Sequence, residues 1–144
     1  MKTTLFLFSL IQFFTGISSN MSSQAQYSNT IAIVERFNEA FNKHDVDAVM
    51  ESMTLDCVFE NTAPAPDGQR FEGATEVRAY WEKFFAANPD AHFEVEELFA
   101  YNDRCVVRWV YRKTKDNQPW HLRGVDIFKV RDGKVAEKLA YVKG

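Results

Sequence analysis

The chain has 144 residues, of which 46% are hydrophobic and 15% aromatic, with a formal net charge of −3 at pH 7. That length and apolar content support one domain with a buried core and exclude a disordered chain. The acidic balance and the absence of a Lys/Arg-rich patch argue against nucleic-acid binding.

Residues 1–20 read as an export signal: Lys2 precedes the apolar run LFLFSLIQFF (5–14), too short to span a bilayer, and small residues follow. This places the mature protein outside the cell or in the periplasm, with no stable membrane insertion. The competing reading takes Met21 as the true start and the protein as cytoplasmic. Residues 21–29 are polar and read as a tether, which leaves 30–144 as the folded domain.

Ile33, Val34, Phe37, Ala40 and Phe41 recur at helical spacing and predict a first helix over 30–43. Asp45 can cap a short second helix over 46–53, with Val46, Val49, Met50 and Met53 as its apolar stripe. Residues 57–61 read as a short strand, and the Pro- and Gly-containing stretch after it, 62–68, as a loop. Gly73 opens a third helix whose Val77, Tyr80, Trp81, Phe84 and Phe85 form the cleanest amphipathic face in the chain. Asn88-Pro89 ends it.

Everything beyond residue 91 reads as strand. Residues 92–101 alternate, with Phe93, Val95 and Phe99 on one side. Residues 105–114 alternate again, Cys105, Val107, Trp109 and Tyr111 against Val106, Arg108, Val110 and Arg112. A polar loop over 115–119 follows. The last two strands flank Asp132-Gly133, a strong hairpin signal. Helices first and antiparallel strands afterwards predict an α+β domain.

Asp126 stands between Val125 and Ile127 in that hairpin. A carboxyl in an apolar strand is costly unless it is paired, hydrogen-bonded or protonated. A two-residue loop would set Asp126 opposite Leu139; a three-residue loop with a Gly bulge would set it opposite Lys138. The second register is preferred, because it gives Asp126 a cation and collects Val125, Ile127, Val135, Leu139 and Tyr141 on the other face. Asp126 and Lys138 are then either a solvated ion pair or a pair held in a pocket for binding or chemistry.

The order of elements resembles the nuclear-transport-factor-2-like superfamily, in which three helices close a conical, strongly curved antiparallel sheet, a cone-shaped α+β barrel. Its landmarks here are Phe41-Asn42-Lys43-His44-Asp45-Val46-Asp47-Ala48, Phe71-Glu72-Gly73, and the run from Arg123 to Lys134. The similarity spans about residues 31–143 and is greatest to SnoaL-like, polyketide cyclase-like domains, with ketosteroid isomerases more distant. Three positions that those isomerases use are matched by Phe37, Asn61 and Asp126. Phe37 has no hydroxyl and Asn61 is no base at neutral pH, so only Asp126 keeps its function and steroid isomerisation by that route is not expected.

SnoaL-type cyclases rely on one acid/base Asp at this strand position, and the resemblance implies the same for Asp126. Asn61 would hydrogen-bond a substrate carbonyl. Phe37, Tyr80, Trp81, Phe84 and Phe128 are candidate walls, and Lys138 would point into the cavity. Arg108 and Arg112 are either exposed strand arginines or cavity cations for an acidic ligand. The implied substrate is a small, largely apolar carbonyl compound, processed by isomerisation, cyclisation or a lyase reaction without metal or organic cofactor. The alternatives are a non-catalytic carrier or sensor of a hydrophobic ligand, and a protein-interaction module. A homodimer is expected by analogy with the family. On the catalytic reading, Asp126→Asn would abolish turnover with little loss of stability.

The three histidines, His44, His92 and His121, show no metal-binding spacing. The strand around Arg108 has no Asp two residues on, which argues against the Arg/Asp chemistry of limonene-epoxide hydrolases. Cys57 and Cys105 lack a CxxC and read as buried thiols, with a disulfide open only to an exported chain.

Overall fold

The computed structural model describes residues 14–143. The export segment expected over 1–20 lies outside them as far as residue 13. The elements are α1 (Phe14–Asn42), α2 (Val46–Glu51), β1 (Met53–Glu60), β2 (Arg70–Glu72), α3 (Gly73–Ala87), β3 (His92–Tyr101), β4 (Arg104–Lys115), β5 (Gln118–Arg131) and β6 (Lys134–Val142). The architecture is the α+β one expected, three helices on a six-stranded sheet. The strand order is β2-β1-β6-β5-β4-β3. The sheet is mixed, not wholly antiparallel: β1 runs parallel to β6, and every other neighbouring pair is antiparallel.

The stretch 21–29, expected as a tether, is helical and continuous with α1. The helix ends in a Schellman motif. His44 sits in the left-handed region at φ 53°, its N–H donates to the Phe41 carbonyl at 2.9 Å, and the Asp45 N–H donates to the Ala40 carbonyl at 3.1 Å. Asp45 then caps α2 by accepting from the Ala48 N–H at 3.0 Å. Asn42 anchors this join to the sheet. Its amide donates to the Phe93 carbonyl and accepts from the Phe93 N–H, both at 2.9 Å. The landmark around residues 41–48 is therefore a helix stop, a helix start and a sheet clamp in sequence. Met53, expected in α2, instead opens β1 and is buried.

Two β-bulges revise the expected strand faces. One lies in β3 between Val95 and Glu97. It keeps Phe93 inward but turns Phe99 outward, where it is 51% exposed. The other lies in the final hairpin between Lys129 and Val130. The loop there is the two-residue Asp132-Gly133, with φ 52° and 74°, between the paired Arg131 and Lys134. The bulge then advances the register, so Phe128 faces Lys138 and Asp126 faces Ala140. The preferred three-residue loop and its direct Asp126–Lys138 pairing are corrected. Val135, expected on the outer face, is fully buried, because the bulge lets both Val135 and Ala136 turn inward.

Alternation does the rest. β4 sends Cys105, Val107, Trp109 and Tyr111 inward, against Val77, Trp81 and Phe85 of α3 and Phe37 and Phe41 of α1. The inward side of β5 is Trp120, Leu122, Gly124, Asp126 and Phe128. Both cysteines are buried and unpaired.

Candidate functional site

A cavity of about 400 Å³ opens between the concave face of the sheet and helices α1 and α3. Phe37, Phe41, Phe59, Trp81, Val107 and Trp109 form its buried wall, and Tyr80, Phe84, Phe93 and Leu122 continue it. Asn61, Thr62, Asn88, Lys113 and Trp120 are half-buried and form a polar rim. The size is at the lower end for small-molecule sites, and the lining is mostly aromatic, as such sites require.

Asp126 and Lys138 both line this cavity and are only 3% and 5% exposed. Although Ala140 is the residue opposite Asp126, Lys138 lies diagonally on the same face, and its Nζ reaches Asp126 Oδ2 at 2.7 Å. Lys138 Nζ also sits 5.3 Å from the centre of the Phe59 ring and 5.6 Å from that of Phe128. The ammonium is thus held by one carboxylate oxygen and by two ring faces in a desolvated setting. The other oxygen, Asp126 Oδ1, has no protein hydrogen-bond partner. One oxygen of the carboxyl is fixed, and the other is buried without a protein partner in a residue that lines the cavity.

Asn61 follows β1 at the rim. Its Oδ1 accepts from the N–H groups of Gln69 at 2.8 Å and Ala63 at 3.2 Å, so it shapes the loop after β1. Its side chain also lies beside the Tyr80 hydroxyl. Burial raises the Tyr80 hydroxyl pKa, and the contact with Asn61 opposes that rise. With its oxygen committed to the loop, the amide can offer a substrate only its N–H donors.

Two expected site residues lie elsewhere. Arg108 is 55% exposed on the outer face of the sheet, where its Nε stands 3.3 Å from Glu97 and 3.9 Å from Glu96. It is no cavity cation, because β4 alternation points it away from Val107 and Trp109. Phe128 is fully buried beneath the cavity, packed edge-on against Phe37 at 5.5 Å, and supports the wall without lining it. Phe37, Tyr80, Trp81, Phe84, Asn61, Asp126 and Lys138 all come together at the cavity.

Several lining residues were not singled out from sequence: Asn38, Trp109, Tyr111, Lys113 and Trp120. The inward alternation of β4 carried the signal for Trp109 and Tyr111. Burial pushes the Tyr111 hydroxyl pKa up to about 12, so it is a neutral phenol at physiological pH. Among the described residues no group of three or more His, Cys, Asp or Glu is placed to hold a metal ion. Among them, too, no helix is long and apolar enough to cross a membrane.

A helix-lined cone of sheet with a polar pair inside an aromatic cavity defines a small-molecule-binding class of α+β domain. The SnoaL-like domain model matches residues 34–138, and the chain belongs to that family. A search of curated proteins found no match. Among solved structures it is similar to an NTF2-like protein of unknown function from Mesorhizobium loti, at 38% identity and TM-score 0.71, covering 83% of this chain and 94% of that one. It is also similar to a candidate polyketide cyclase from Sinorhizobium meliloti, at 24% identity and TM-score 0.64, covering 76% and 94%. An LEH-like epoxide hydrolase from M. tuberculosis shares the fold at 18% identity and TM-score 0.67, covering 81% and 84%.

Proposed function

We propose that this SnoaL-like domain binds a small, largely apolar carbonyl compound in its cavity and moves a proton on it as a cofactor-independent isomerase, cyclase or lyase. The observation that carries the reading is the division of labour in the Asp126 carboxylate. Lys138 holds Oδ2 at 2.7 Å, and Oδ1 is left buried without a protein partner in a residue that lines the cavity. In the proposed step Oδ1 takes a proton from the carbon next to the carbonyl. The C–H electron pair becomes the enolate C=C bond, and the negative charge moves to the carbonyl oxygen. The Asn61 amide N–H at the rim and the Tyr80 hydroxyl on the wall are the donors for that oxygen. Return of the proton to another carbon completes an isomerisation; attack of the enolate carbon on a second carbonyl closes a ring. Phe37, Trp81 and Phe84 exclude water from the reacting centre.

The test is exchange of the C2 protons of 1-tetralone in D2O, followed by NMR. The reading expects exchange above the buffer rate with the wild-type protein, lost in Asp126→Asn with 1-tetralone still bound. Binding without catalysed exchange in either protein supports the carrier alternative instead.

The outer face of the sheet supports homodimerisation as part of the same proposal. Phe99, Val106, Ile127 and Leu139 form one apolar row across β3, β4, β5 and β6. Pairs such as Arg104–Glu137 at 2.8 Å and Arg108–Glu97 at 3.3 Å flank it. Sedimentation of the wild type against Phe99→Glu tests this: a dimer that becomes a monomer is the expected outcome. Export of the mature domain is the further proposal, supported by the apolar run at residues 5–14.

A further inference from the structure

Charge is unevenly placed around the cavity. Three charged side chains line it, Asp126, Lys138 and Lys113. Asp126 and Lys138 neutralise one another at 2.7 Å, while Lys113 forms no ion pair among the described residues. The lining therefore carries one uncompensated positive charge, in a chain whose net charge is −3. The two strand arginines do not supply it: Arg108 points away from the cavity, and Arg112 pairs with Glu94 at 2.9 Å.

Lys113 is held over the mouth. A half-buried lysine ordinarily extends its ammonium into water. Here Nζ donates to Asn88 Oδ1 at 2.8 Å and lies 5.6 Å from the centre of the Trp120 ring and 6.0 Å from that of Tyr111. The Asn88 amide is itself fixed, because its Nδ2 donates to the Phe84 carbonyl of α3 at 2.8 Å. A second recess, lined by Asp90, Thr114 and Asn117, shares Lys113 and Trp120 with the cavity, so this lysine stands where the two meet. Asp90 in that recess is turned to Thr114, whose backbone N–H it accepts at 2.6 Å. An ammonium has three N–H donors, and Asn88 uses one.

Alternation sets the charges at opposite ends of the concave face. Asp126 lies opposite Val107, and Trp120 opposite Lys113, six residues further along β4 or about 20 Å of strand. The inward pairs between them, Trp109 with Gly124 and Tyr111 with Leu122, are uncharged. A ligand lying along this face meets a neutralised ion pair at its inner end, aromatic walls along its length and an ammonium at the mouth. We propose that the ligand is an elongated organic acid whose carboxylate pairs with Lys113, and that Lys113 is the specificity-determining residue for this anionic end. This deepens the proposed function and rests on the cavity being the ligand site.

The experiment compares 6-phenylhexanoate, 6-phenylhexan-1-ol and 6-phenylhexylammonium, one apolar body with an anionic, a neutral and a cationic end. Affinities are measured at neutral pH by NMR titration of the 15N-labelled protein. The carboxylate should bind about five- to tenfold more tightly than the alcohol, and the ammonium more weakly than either. Raising NaCl from about 20 to about 300 mM should weaken the carboxylate and leave the alcohol unchanged. Lys113→Met should remove the preference for the carboxylate and keep alcohol binding, while Lys113→Arg should retain the preference. Lys134→Met, which removes an exposed lysine from the hairpin at the other end of β5, should retain it too. Equal binding of carboxylate and alcohol by the wild type, or a preference that survives in Lys113→Met, overturns this inference and leaves the cavity as a ligand site. Binding of 1-tetralone with none of the three compounds bound does the same. No binding of any of the four up to millimolar concentration overturns both.

Discussion

Breaking the pair between Asp126 and Lys138 tests the physics of the site before its chemistry. The two groups meet at 2.7 Å with side chains only 4% and 6% exposed. At an effective dielectric of about 20 their attraction is roughly 5 kcal/mol, and desolvating the two ions costs several kcal/mol each. The intact pair is therefore near break-even. Removing one partner loses the attraction and keeps the desolvation of the other, a cost of about 3–5 kcal/mol. Asp126→Asn and Lys138→Met should each fall in that range, lowering Tm by roughly 10–20 °C for a domain of this size. Burial of the pair thus points to a larger stability cost for Asp126→Asn than the sequence alone led one to expect. The double variant Asp126→Asn/Lys138→Met removes both charges and should be less destabilised than either single variant. Urea unfolding of the four proteins gives the cycle. An Asp126→Asn protein within about 0.5 kcal/mol of the wild type, or additive single effects, would refute the buried-pair argument.

Gly124→Ala should be destabilising by about 1–3 kcal/mol, because the methyl meets the Trp109 ring and the Tyr141 carbonyl. A strand glycine without such a neighbour would gain stability from the same change, so the sign decides; a neutral or stabilised variant contradicts the packing described. Alkaline pH offers a second check. Burial, with a smaller contribution from Glu35, pushes the Cys105 thiol pKa from 9.0 up to about 12, and burial raises the Tyr111 hydroxyl from 10.0 to about 12. The native state holds these protons where the unfolded chain has released them. Stability from this source is complete below about pH 9 and lost as pH rises toward about 12. Urea midpoints measured from pH 7.5 to about 10.5 should fall at the alkaline end, less steeply in Cys105→Ala. Equal slopes in the two proteins would count against the thiol's role.

Periodicity made α3 and β4 legible, because each buries one continuous apolar face at a fixed period. The capped start of α2 was equally local, written in Asp45. The N-terminal part of α1 was not legible, since residues 21–29 carry no apolar stripe to mark a helix. Nor was the parallel pairing of β1 with β6, which joins residues about 80 apart and leaves no local signature. Bulges were the main source of error. An extra residue in β3 turned Phe99 outward, and one in the hairpin moved the register past both candidate loops. The Asp126–Lys138 pair was anticipated from a register the structure does not have; a long lysine side chain reaches the carboxylate diagonally all the same. Arg108 could be placed by alternation alone, since it shares β4 with the inward Val107 and Trp109 at odd spacing.

The most direct test of the cavity as the ligand site is to fill it beside Asp126 without touching the ion pair. Ala140 lies opposite Asp126 in the register and lines the same space. In Ala140→Phe the ring occupies part of the roughly 400 Å³ volume while both charges remain. The account predicts that calorimetric titration with 1-tetralone shows binding in the wild type and its loss in Ala140→Phe, with Tm unchanged or raised. Undiminished binding in the filled variant would place the ligand elsewhere and contradict the assignment of this cavity.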